Sequence, residues 1–170
     1  MDEAVDSFLT WLSVEKGRAE KTLKAYAVDL SQFMTHLESC HGGVPDANAV
    51  TRADIASFMG YCFDAGCDNR TTARKITAVR GLFAFLYRRG EIDSNPARGV
   101  NNPRTGKRLP TFLADNAARS FIEIPAGSFR EKRDRALFET FYSTGARVSE
   151  LAGADLVNLD LDRGTLKVLG

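Results

Sequence analysis

The chain has 170 residues, enough for one globular domain or for one small domain and part of another. A hydrophobic content of 44% can build a core, and 26% charged residues at a net charge of +1 is ordinary for a soluble protein. No apolar run approaches the roughly 18–20 residues of a membrane span, and the acidic start (Asp2, Glu3, Asp6) is no signal peptide, so a cytoplasmic location is expected.

The first ninety residues predict four helices. Val5, Phe8, Leu9 and Leu12 keep the i, i+3, i+4, i+7 spacing of a buried stripe, and Gly17 can end that helix. Leu23, Tyr26, Ala27, Leu30, Phe33, Met34 and Leu37 repeat the rule over more turns, until His41-Gly42-Gly43-Val44-Pro45 breaks it. Thr51 and Asp54 match a capping box before Ile55, Phe58, Met59 and Cys62. Ile76, Val79, Leu82, Phe83 and Leu86 define the fourth helix, with Gly90 behind it. Four amphipathic helices joined by short loops predict a bundle over residues 1–90.

Residues 91–110 hold Asn95-Pro96, Asn102-Pro103 and Leu109-Pro110, interleaved with Arg98, Arg104, Lys107 and Arg108. Proline disfavours helix and stiffens the path, so the stretch predicts an interdomain linker. Two readings fit its charge: a strap along a phosphate backbone, or a plain solubilising tether. Residues 111–170 then predict a short helix near Asp115–Ile122 and a longer one around Phe129–Ser143. Leu159-Asp160-Leu161 and Leu166-Lys167-Val168, on either side of Asp162-Arg163-Gly164-Thr165, predict a β-hairpin.

Charge is unevenly placed. Residues 70–108 carry ten basic side chains against only Glu91 and Asp93, a local +8, so the rest of the chain sums to −7. Such asymmetry fits a polyanion-binding stripe on an acidic body, or a solvated basic face. Cys40, Cys62 and Cys67 form no disulfide framework. With His36 and His41 they make no finger pattern, so packing of small thiols rather than a metal is expected. No cofactor is implied.

The most specific stretch is Thr144-Gly145-Ala146-Arg147-Val148-Ser149-Glu150-Leu151. Gly145 can take the positive φ that ends a helix, and Arg147 and Glu150 fall three apart on the next helical face. A guanidinium held by a carboxylate suits charge stabilisation on a transferring phosphoryl group. Taken alone, the pair also fits a surface ion pair. The stretch resembles the first-arginine motif of the tyrosine recombinases, the phage integrase family, especially the Xer branch. Further resemblance runs through Lys21-Thr22-Leu23-Lys24-Ala25-Tyr26 with Asp29-Leu30, and through Arg70-Thr71-Thr72-Ala73-Arg74-Lys75-Ile76 with Ala78-Val79-Arg80. Asn95-Pro96-Ala97 and Leu109-Pro110 are similar to the ends of the family's linker.

The resemblance implies a mostly α fold. It consists of a four-helix core-binding (SAM-like) bundle, a basic linker and the start of an α+β catalytic domain. It implies that Arg147 is the first active-site arginine, braced by Glu150 as orienting acid. It also implies that the second and fourth helices meet double-stranded DNA through Arg18, Lys21, Thr22 and Lys24 on one side and Arg70, Thr71, Arg74, Lys75 and Arg80 on the other. Arg104, Lys107 and Arg108 of the linker join them.

Members of the family cut DNA through a tyrosine that forms a 3′-phosphotyrosyl link, and they act as tetramers with a second recombinase subunit. The chain ends at Gly170, before the family's lysine, its His-x-x-Arg-His segment and its late tyrosine; Lys167 falls inside a strand. Tyr26, Tyr61, Tyr87 and Tyr142 all precede Arg147, with core packing expected for Tyr26 and Tyr142. The expectation is therefore DNA binding without cleavage, by a monomer in solution. A stand-alone, non-catalytic DNA-binding or regulatory protein fits the same residues, and a helical protein-interaction module fits the bundle alone.

Overall fold

The computed structural model describes residues 1–104, 106, 114, 117, 120, 122, 123 and 127–168. It forms two compact units, Met1–Lys107 and Arg108–Gly170.

Unit one contains α1 (Asp2–Val14), α2 (Glu20–His41), α3 (Arg52–Asp64) and α4 (Asn69–Arg88). Each start and stop has a local cause. The capping box at α3 forms: the Thr51 N–H donates to Asp54 Oδ2 at 2.8 Å and the Asp54 N–H returns to Thr51 Oγ1 at 3.3 Å. At α4 the Asp68 carboxylate accepts from the Thr71 N–H at 2.7 Å. Gly42 closes α2 with φ +73°, its N–H bonded to the Glu38 carbonyl.

The apolar rows meet in one core. Phe33 of α2 packs edge-on to Phe58 of α3 (5.1 Å) and Phe83 of α4 (6.2 Å), and all three are buried. Phe8 of α1 lies 5.6 Å from Phe85. Full burial of such a ring contributes about 1.5–3 kcal/mol, so these contacts set the helix arrangement. α1 comes close enough that a Cβ on Gly81 would sit 2.9 Å from the tip of the buried Phe8 ring. Here glycine is needed for space.

The path after α4 departs from a free tether. Ile92, Ala97 and Val100 are buried in the bundle core. The Asp93 N–H donates to Asn48 Oδ1, Arg52 Nη2 donates to the Gly99 carbonyl, and Asn69 Nδ2 donates to the Arg104 carbonyl. Residues 91–104 thus belong to unit one: apolar residues spaced among polar ones gain more by burial than a solvated strap would.

Unit two contains α5 (Phe129–Thr144), α6 (Val148–Ala152), a 3₁₀ turn (Leu156–Asn158) and a hairpin, β1 (Leu159–Asp160) paired antiparallel with β2 (Thr165–Leu166). The second strand starts one residue earlier than expected and leaves Lys167 just past it. Gly164 supplies a φ of +60° in its turn. Ser128 and Glu131 form a capping box at α5, and Gly145 ends it with φ +65°. The short helix expected near Asp115–Ile122 falls mostly outside the described residues. No described residue of this unit is buried. Tyr142, expected in a core, is instead 57% exposed, in a unit where no described residue is buried. No described helix is long and apolar enough to cross a membrane.

Two substitutions test this packing. Gly81→Ala should lower the thermal midpoint despite alanine's better helix propensity, since overpacking against Phe8 costs about 1–3 kcal/mol. Thr72→Val should raise it: Thr72 Oγ1 is buried with no partner among the described residues, and removing such a hydroxyl is worth about 1 kcal/mol. Thermal unfolding followed by circular dichroism reads both, and a midpoint moving the other way contradicts the packing described.

Candidate nucleic-acid interface

The N-terminal halves of α2 and α4 meet at a buried carboxylate. Asp29, on the apolar side of α2, has no solvent exposure. Its Oδ2 accepts from Arg74 Nη1, and its Oδ1 accepts from Lys75 Nζ at 3.3 Å. Arg74 Nη1 also donates to the Ala25 carbonyl at 3.3 Å, one turn earlier on α2. The Arg74 side chain remains 42% exposed.

Around this crossing the sequence-predicted cations separate into groups. Arg70 and Arg80 are exposed on the arc of α4 that also carries Arg74. At about 100° per residue this arc lies opposite Val79. Arg104 is exposed too, and the bond from Asn69 to its carbonyl holds it beside the first turn of α4. Lys21 and Lys24 are exposed on the first turns of α2, Lys24 paired with Glu20 at 2.7 Å, and Arg18 is exposed just before that helix. Thr22 and Thr71 are half-buried near the two helix starts. Helix N-termini add a partial positive charge at both places, which favours anions.

Lys75 does not join this face. It is 5% exposed, and its ammonium is spent on Asp29 and Gln32 Oε1. The physical reason is its position: one residue before Ile76 and three after the buried Thr72, it points inward to the only carboxylate α2 buries there. The signal lay in α2, where Asp29 falls four before Phe33, on a row that is otherwise apolar. Lys107 and Arg108 lie outside the described residues.

A second basic cluster sits at the other end of α4, roughly 21 Å along the helix from Arg74. Lys16 Nζ lies 5.0 Å and Arg88 Cζ 4.8 Å from the Trp11 ring centre, while Arg89 stands over Phe85 at 5.3 Å and pairs with Glu91. These cations are engaged with aromatic faces, contacts worth about 0.5–1 kcal/mol at exposed sites. Charge counting along the sequence merged the two clusters; the fold separates them. The thiols form no disulfide, and no group of three or more His, Cys, Asp or Glu suited to a metal occurs among the described residues.

In unit two the Arg147–Glu150 pair forms at the start of α6. The Arg147 N–H donates to Glu150 Oε2 at 2.8 Å and Arg147 Nη1 donates to Oε1 at 2.5 Å. Both oxygens of one carboxylate therefore fix the backbone and the head of the same residue. The Arg147 side chain is 80% exposed, while that of its partner Glu150 is largely covered. The Arg147 backbone N–H first, then its side chain, holds the Glu150 carboxyl below the usual glutamate range.

With this geometry in place, residues 5–90 match the family model described as the phage integrase N-terminal SAM-like domain. This chain belongs to the tyrosine recombinase (phage integrase) family. The tyrosine recombinase XerC of Xylella fastidiosa (strain 9a5c) is 37% identical over 170 residues, covering 100% of this chain and 57% of that relative. XerC of Pseudomonas aeruginosa (strain LESB58) is 36% identical over 98% of this chain and 54% of its own length. The chain thus spans a little over half the length of these recombinases.

Among solved structures, a lambda integrase tetramer bound to a Holliday junction matches with a TM-score of 0.70 at 20% identity, over 98% of this chain and 46% of that one. The Tn1549 transposon integrase (residues 82–397) in complex with circular intermediate DNA matches at 0.65 and 17% identity, over 94% and 51%. At such identities the likeness shows the fold.

The Glu150 clamp has a pH signature. A folded-state value below the unfolded one contributes stability at neutral pH that is lost as pH falls through the folded value. In an NMR titration Glu150 should titrate below the ordinary glutamate value. Because the backbone amide is its main partner, Arg147→Ala should return it only part of the way. A full return to the ordinary value contradicts the backbone-led clamp.

Proposed function

We propose that this chain is the DNA-binding portion of a site-specific tyrosine recombinase of the Xer type. It grips double-stranded DNA with the N-terminal halves of α2 and α4. The observation that carries this reading is the juxtaposition at the α2–α4 crossing: Arg74 bonded to Ala25 and Asp29 of α2, Arg70 one turn away, and Arg104 tied back to Asn69. Arg70, Arg74, Arg80 and Arg104, with Arg18, Lys21 and Lys24, neutralise phosphates on either side of a groove. Thr22 and Thr71 add short polar contacts at the helix starts.

Arg147 stabilises charge on the scissile phosphate, and Glu150 orients it. The family's tyrosine attacks that phosphate in the complete protein, forming a 3′-phosphotyrosyl intermediate. The tyrosines here, all upstream of Arg147, are not that nucleophile, so this chain binds without cutting. The complete protein works with a second recombinase subunit in a tetramer, as the lambda integrase tetramer on its junction supports. Its task is chromosome-dimer resolution, with a link to chromosome partition and cell division, or integration of an element. The chain itself is a cytoplasmic monomer with no membrane partner.

Fluorescence anisotropy on a 30-base-pair duplex tests this. With four to six of these seven cations on phosphates at once, the affinity loss between 50 and 200 mM salt is roughly 10²–10³-fold. Arg70→Ala should reduce the slope of log affinity against log salt by about one. A nicked suicide duplex should yield no covalent adduct. Salt-independent binding, no binding at low salt, or a trapped adduct each contradicts the proposal.

A further inference from the structure

The geometry points to Asp29 as a positioning residue that presents one edge of the Arg74 guanidinium to a DNA phosphate, an inference that rests on the DNA-binding reading above. Arg74 Nη1 is occupied on α2 by two acceptors one turn apart, Asp29 Oδ2 and the Ala25 carbonyl. Nε and Nη2 have no partner among the described residues, and the side chain is 42% exposed. Those two nitrogens form the side-on edge of the guanidinium, the one that takes two oxygens of a phosphate in parallel. The carboxylate therefore holds the far edge of the group still, so that the near edge is already aimed before DNA arrives. Preorganisation of this kind reduces the ordering cost of binding.

The second oxygen of Asp29 does a complementary job. By taking Lys75 into the interior with Gln32, it balances the buried charge and locks the α2–α4 crossing under Arg74. Arg70 stands in contrast: it is exposed on the same arc with no such clamp among the described residues. The two arginines, one turn apart, are thus different devices. Arg70 acts as a mobile point charge and Arg74 as a fixed fork.

A lysine at position 74 keeps the charge but cannot span from Asp29 to a phosphate. Arg74→Lys should therefore weaken duplex binding about tenfold, as far as Arg74→Ala does, whereas at position 70 lysine should recover most of the affinity that Arg70→Ala loses. Asp29→Asn combined with Lys75→Met keeps the interior neutral while removing the clamp. It should also lose about tenfold, and adding Arg74→Ala to it should cost little more. A merely structural role for Asp29 predicts instead that its effect and that of Arg74→Ala multiply.

Binding by the 170-residue chain on the same duplex at 100 mM salt, with circular dichroism for folding, decides. Arg74→Lys binding like the unaltered chain, or multiplying effects in the cycle, overturns the positioning role while leaving DNA binding intact. If the Asp29→Asn/Lys75→Met chain does not fold, the contrast between Arg74→Lys and Arg70→Lys decides alone. Failure of the unaltered chain to bind in a salt-dependent way is a different result: it removes the DNA-binding reading and this inference with it.

Discussion

A carboxylate with no access to water, Asp29, lies where α2 and α4 cross, and the basic face of the bundle is organised about it. Burying one anion is tolerable only when cations and donors compensate it, and here Arg74 and Lys75 both do so from the neighbouring helix. Below the ion cluster, Phe33, Phe58 and Phe83 fasten the same helices with apolar contacts. The crossing is therefore specified twice, by shape in the core and by charge near the surface. That double specification lets a helical bundle hold exposed arginines in a defined frame.

The frame also explains why the chain's near-neutral total charge is a poor guide to what it meets. Attraction to a polyanion depends on local density of charge. Arg70, Arg74 and Arg104 gather at one end of α4, while Arg88 and Arg89 at the other end are drawn onto Phe85 and Trp11. One helix thus carries two basic clusters in different chemical states, one facing solvent and one laid on aromatic rings. In the second unit the Arg147–Glu150 clamp follows the same design on a smaller scale: an exposed guanidinium with one edge fixed by a carboxylate.

Much of this was legible in the residues themselves. The four bundle helices follow from apolar spacing, and several of their ends from Thr51 and Gly42, because periodicity and caps are local physics. The hairpin around Gly164 and the helix end at Gly145 were legible for the same reason. The Arg147–Glu150 contact was readable from its spacing of three. What depended on tertiary packing was not. Lys75 reads as one more surface cation until Asp29 of another helix is placed opposite it. Residues 91–104 read as a polar tether, yet Ile92, Ala97 and Val100 insert into a core built by distant residues. Tyr142 beside Phe141 reads as core, but α5 presents it to solvent. For Lys75 and for residues 91–104 the partner lay far away in sequence.

The face proposed to receive duplex DNA is the α2–α4 crossing. Amide shifts recorded while a short duplex is titrated into ¹⁵N-labelled chain test it most directly. The largest changes should fall at residues 18–25 and 69–74 and at Arg104, with Trp11, Lys16, Arg88 and Arg89 unmoved. Changes centred on the Trp11 end, with the crossing silent, would contradict it.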